Sequence, residues 1–140
     1  MRKLLFACAV LLAASTADAQ RSVATTTGNS STLSGGIRVG DVLYTSGQLP
    51  GSREAPMDST IQGQTKQVLD KIKAIVEAVG GKMENVAKCT VFLVSASDFG
   101  GMNQAYREYW PKEPPARSTV VVAALVAPGK LEIECIASLK

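Results

Sequence analysis

The stretch "LEIECIASL", residues 131–139, constrains the fold more than any other part of the chain. Leu131, Ile133, Cys135, Ala137 and Leu139 fall on one face of a strand, and Glu132, Glu134, Ile136 and Ser138 on the other. The first face must rest on a hydrophobic layer. The second is neither cleanly polar nor cleanly apolar, which predicts cover by another subunit.

The elements that could supply that layer lie upstream. Residues 37–39 and 42–45 are short apolar stretches separated by Gly40-Asp41, a hairpin signal in the less common order. Ile61, Val68, Ile72, Ile75, Val76 and Val79 recur at helical spacing. Ser59 followed by Gln62 offers a capping box, and Gly80-Gly81 a stop. "AKCTVFLV" reads as a strand, and "SASDFGGMNQAYREYW" as a second helix with Phe99, Met102, Tyr106 and Trp110 on one face. Ser97 is its candidate cap, and Pro111 ends it. A strand over 118–125 precedes the final one. The order β-β-α-β-α-β-β predicts an α+β sandwich, one sheet with two helices on a single face.

The chain has 140 residues, enough for one domain. Residues 1–19 read as a leader: Arg2 and Lys3 form a basic start, 4–14 an apolar stretch, and Ala17-Asp18-Ala19 a cleavage site. The apolar stretch is shorter than the roughly 20 residues a membrane span requires. The expectation is an exported protein, periplasmic or secreted, free of the membrane after cleavage. Residues 20–34, rich in Ser and Thr, read as a flexible segment that gains a strand at its end, and 35–140 as the folded domain. Cys89 and Cys135 remain after leader removal. Export would permit a disulfide. Their apolar strand surroundings favour two buried thiols instead.

Histidine is absent, which removes imidazole acid–base chemistry and histidine-metal sites. Two distant cysteines cannot supply four zinc ligands, so neither a metal nor a cofactor is expected. A net charge of +3 without a dense basic run gives nucleic-acid binding no support. What remains is Arg117 in "PPARSTVVVAAL", together with Glu132, Glu134, Ser46, Asn103 and tyrosines. An arginine can grip a carboxylate through two parallel hydrogen bonds, and a glutamate can handle a water. That toolkit suits anionic substrates that are already reactive.

"VLYTSGQLP", "QTKQVLDKIKAIVEAVGG", "CTVFLVSASDFGGMNQAYREYW", "PPARSTVVVAAL" and "LEIECIASL" occur in that order. Together they closely resemble the RidA (YjgF) family, over about 35–140, nearly all of the mature domain. The resemblance implies a chorismate-mutase-like fold, a homotrimer around a central barrel, and sites between subunits. It also implies hydrolysis of 2-imino or 2-enamino acids to 2-oxo acids and ammonia.

Carried over residue by residue, the resemblance gives Arg117 the substrate carboxylate and Glu132 the attacking water. Ser46, Gly47 and Asn103 would line the cleft, with Glu134 structural. Leu33 stands where typical members carry a tyrosine that closes the pocket, and Thr119 where some carry cysteine. The alternatives are a non-catalytic trimer that binds or senses small carboxylates, and an endoribonuclease or translation inhibitor.

Overall fold

The computed structural model describes residues 20–24, 30 and 32–140. The expected leader, 1–19, lies outside the described residues. The alternating segment forms β6 (Leu131–Ser138), and its apolar face is the floor of the core: Leu131, Ile133, Cys135 and Ala137 are almost wholly buried. β6 lies between β3 (Val42–Thr45) and β4 (Val86–Leu93), antiparallel to both. β2 (Gly36–Val39) pairs with β3, β5 (Ala116–Val121) runs parallel to β4, and β1 (Arg21–Val23) adds to β2, giving a six-stranded sheet in the order β1-β2-β3-β6-β4-β5.

The β2–β3 hairpin closes through Gly40-Asp41, with Val39 opposite Val42. Gly40 has φ of 57°, so this turn needs positive φ at its first central residue, and the Gly-Asp order follows. A parallel pair cannot be joined by a tight turn. α2 (Phe99–Tyr109) makes the crossover between β4 and β5.

α1 (Ile61–Ala78) buries Val68, Leu69, Ile72, Ile75 and Val76 against β6 and α2, as the helical period requires. Its cap sits one residue later than expected. Thr60, not Ser59, accepts the Gly63 N–H, at 3.0 Å, and Asp58 holds Thr60 through two hydrogen bonds. Ser97 does not cap α2. Ser95 accepts from Ser97 N at the head of a 3₁₀ turn (Ala96–Asp98), which leads directly into α2. Met102, Ala105 and Tyr106 face inward, and Trp110 closes the helix by donating Nε1–H to the Met83 carbonyl. Phe99, expected on the buried face, is 45% exposed.

Three further expectations are corrected. The Ser/Thr-rich segment holds its strand at the start, not the end: β1 (Arg21–Val23) pairs with Val39 to Ile37 of β2. β5 begins two residues early and stops four early. Its ladder ends opposite Leu93, the last residue of β4, where Val122 N donates to the Leu93 carbonyl. Cys89 and Cys135 are a disulfide, not two thiols. The β4–β6 register sets them directly opposite with Cα atoms 4.1 Å apart, both on the helix-covered face.

Among the described residues, no helix covers the other sheet face. Tyr44, Val120 and Ile136 lie exposed on it beside Lys88, Thr90 and Glu134, the mixed character inferred from the final strand.

Candidate functional site

Pro114 and Pro115 lead the chain extended into β5, and Arg117 is the second residue of that strand. Register pairs Arg117 with Cys89, so its side chain leaves the sheet on the helix side, at an edge strand, beside α2. The guanidinium is held from three directions. Nη2 donates to Asn103 Oδ1 at 2.6 Å, and Nη1 points to Met102 Sδ at 3.7 Å. Its carbon stands 4.6 Å from the Tyr106 ring centre and 5.9 Å from that of Phe99.

Among the described residues no carboxylate pairs with Arg117. The charge is positioned by neutral groups and left free for an anion. Tyr106, buried below it, has its phenol pushed up to about 12 by burial, which the Arg117 charge partly offsets. A cleft of about 290 Å³ opens here, lined by Asn103, Tyr106, Arg107, Trp110, the two prolines and Arg117.

Glu132 occupies a different place. On β6 it pairs with Phe92 of β4 and projects from the open face, the face opposite Arg117. Its carboxylate rests against Gly47: a Cβ on that glycine would stand 1.7 Å from Glu132 Oε1. Any side chain at position 47 would displace that carboxylate. Gln48 fixes the segment by exchanging both backbone hydrogen bonds with Ile133. Lys71 anchors the loop beyond, donating to the carbonyls of Leu49 and Gly51, and burial lowers its pKa.

Ser46 lies beside this patch, but its hydroxyl is engaged, donating to the Ser34 carbonyl at 2.6 Å. Its N–H donates to the Gly35 carbonyl. Leu33, in the segment just before, is half-exposed. Glu134 lies further along the open face, near Tyr44, Lys88 and Thr90. Among the described residues, no group of three histidine, cysteine or carboxylate side chains comes together.

The expected residues thus form two groups. Arg117 and Asn103 meet on the helix side; Gly47, Glu132 and the Ser46 backbone meet on the open side. In one chain the two groups face away from each other, on strands separated by β4 and on rows three residues apart. Phe99 and Tyr106, which helical spacing marks as packing residues, form the aromatic walls around the guanidinium. The three-residue spacing from Asn103 to Tyr106, which puts both on one face of a helix, was the available signal.

Residues 25–139 match the family model described as Endoribonuclease L-PSP. A relative from Escherichia coli strain K12, the 2-iminobutanoate/2-iminopropanoate deaminase, is 41% identical over 108 residues, 73% of this chain and 83% of its own. The crystal structure of the E. coli YjgF gene product superposes with a TM-score of 0.74 at 37% identity, over 77% of this chain and 88% of the other. E. coli TdcF with bound serine gives a TM-score of 0.75 at 34% identity, over 79% and 91%.

Proposed function

This chain belongs to the Endoribonuclease L-PSP family, the family of RidA and YjgF, and from that premise we propose that it hydrolyses 2-imino acids. One water is consumed: the C=N bond is exchanged for C=O, and the products are a 2-oxo acid and ammonia. The enamine tautomer enters the same reaction after protonation at carbon.

The observation that carries this reading is the separation of Arg117 from Glu132 on opposite sheet faces, each already positioned. A cation held by neutral groups awaits an anionic ligand, and a carboxylate beside a bare backbone is suited to a water. Neither group completes a site alone. Two copies with the β5 edge of one against the open face of the next would bring them together, and we take the assembly to be a homotrimer. The mixed character of the open face supports such cover.

In that composite site Arg117 grips the substrate carboxylate through its fork, aimed by Asn103 and Tyr106. Glu132 of the neighbouring copy accepts a proton from the attacking water and returns it to the departing amine. Gly47 admits the substrate against the backbone. An iminium carbon is electrophilic by itself, so orientation and one proton carrier are sufficient. The same reading places the mature chain in an oxidising compartment, which the Cys89–Cys135 disulfide supports.

The test is to generate 2-iminopropanoate in solution and follow its conversion to pyruvate with wild type and Arg117→Ala. Acceleration by wild type alone supports the reading; equal rates with both proteins reject it. The similarity to a structure holding serine favours one second reading, a small-carboxylate binder without turnover. Binding of pyruvate with no acceleration would select it.

A further inference from the structure

The cleft beside Arg117 holds a second arginine, Arg107, which no step of the proposed hydrolysis uses. The rest of its lining is Asn103, Tyr106, Trp110, Pro114 and Pro115, so the cleft has two cations and no carboxylate. Arg107 follows Asn103 by four residues on α2 and shares its face, about 6 Å further along the axis. Asn103 in turn touches the Arg117 guanidinium at 2.6 Å. Among the described residues, no carboxylate pairs with Arg107. The adjacent carboxylate of Glu108 is taken by Lys66, at 2.8 Å.

We propose that this cleft takes ligands with two anionic groups, and that the substrates are 2-imino diacids whose second carboxylate is held by Arg107. The inference rests on the deaminase reading and deepens it. Both cations belong to one chain and line one cavity of about 290 Å³, so the second contact does not depend on where a neighbouring copy sits. With the carboxylate next to the C=N carbon on Arg117, a linker of one or two methylenes carries the other carboxylate along α2 toward Arg107. The Asn103 oxygen is taken by Arg117, which leaves its amide N–H groups to donate to a ligand oxygen.

Two like charges on one cleft repel each other, and a dianion relieves this for both at once. Tyr106 and Trp110, with ring centres 4.6 Å apart, and the two prolines give the cleft apolar walls, which strengthen charge attraction relative to open water. Arg107 also stands in the last turn of α2, where it offsets the partial negative charge of the helix end. That role alone would stabilise the helix without altering which substrate is preferred. Arg107 is exposed, which limits the gain: an ion pair in contact with water strengthens binding by about fivefold at most. A methyl side chain leaves Arg107 unpaired.

The experiment compares imines formed in situ by amino-acid oxidases from L-glutamate, L-aspartate and L-alanine. The kcat/KM of the better diacid imine should exceed the alanine-derived value by about fivefold, and the advantage should shrink as ionic strength rises. Arg107→Ala should bring the ratio to about one, Arg107→Lys should keep part of it, and Arg107→Glu should reverse it. The exposed position makes the three variants mild for folding, which thermal unfolding checks. No diacid advantage in wild type, an advantage that Arg107→Ala leaves intact, or variants that slow all imines alike overturns the inference.

If no imine is accelerated, the deaminase reading fails separately. The cleft is then tested by calorimetric binding of 2-oxoglutarate and pyruvate. Tighter binding of 2-oxoglutarate, lost in Arg107→Ala, upholds the two-anion cleft. Equal affinities, no binding, or a preference that persists in the variant overturns it.

Discussion

Arg117 and Glu132 project from opposite faces of one sheet. Arg117 pairs with Cys89, whose side chain lies under the helices, and Glu132 pairs with Phe92, whose side chain does not. The register fixes this: Cys89 lies opposite Cys135, and Glu132 is an odd number of residues from Cys135 along β6. Alternation then forces Glu132 to the other side. The proposed site is divided between these two surfaces.

Truncating Arg117 to Ala should lower kcat/KM by about 100-fold or more, the usual consequence of removing a charge that holds a buried carboxylate. Arg117→Lys should recover only part of this. It keeps the charge but loses the planar fork that Asn103 and Tyr106 aim. Steady-state kinetics of the two variants on one imine separates charge from geometry.

Gly47→Ala should reduce kcat by tenfold or more, because the added carbon falls where the Glu132 carboxylate now rests. The carboxylate must swing away, since the backbone is fixed by the Gln48–Ile133 hydrogen bonds. Unchanged circular dichroism beside reduced kcat is the expected pair of results. Wild-type kcat would show that Glu132 acts from another position or not at all.

Reducing the disulfide should destabilise the domain by about 4 kcal/mol, the loop-closure value for a sequence separation of 46. Denaturant unfolding with and without reductant measures it. Cys89→Ala with Cys135→Ala should reproduce the loss without reductant.

Burial raises the Tyr106 pKa from 10.0 to about 12. The folded state then holds this proton more tightly than the unfolded chain does. Its contribution to stability is complete below pH 10 and is lost as pH rises toward 12. Tyr106→Phe has no such proton, so its stability should fall less steeply than wild type across that window. Parallel unfolding curves at pH 9, 10 and 11 for the two proteins provide the check.

Much of the fold was legible where periodicity is local. The alternation in β6 and the apolar spacing of α1 follow from side-chain direction within a single element, and both match the structure. What was not legible depends on partners far along the chain. The disulfide needs the β4–β6 register to be seen, and the end of β5 needs the end of β4. β1 is a strand because β2 offers it a free edge, whereas its own exposed residues carry no burial pattern. The caps were misplaced by one or two residues because Ser59, Thr60, Ser95 and Ser97 are chemically equivalent candidates on paper. For the site, residue types and strand positions pointed to Arg117 and Glu132, but no pattern in either strand alone tells which faces they take relative to each other.

The division of the site is tested most directly by mixing two inactive variants. Arg117→Ala and Glu132→Gln should each be nearly inactive as pure assemblies. Co-expressed, they should regain about a quarter of wild-type turnover, since random mixing in a cyclic trimer leaves that fraction of interfaces with both wild-type groups. No recovery in verified mixed assemblies would contradict a site shared between copies.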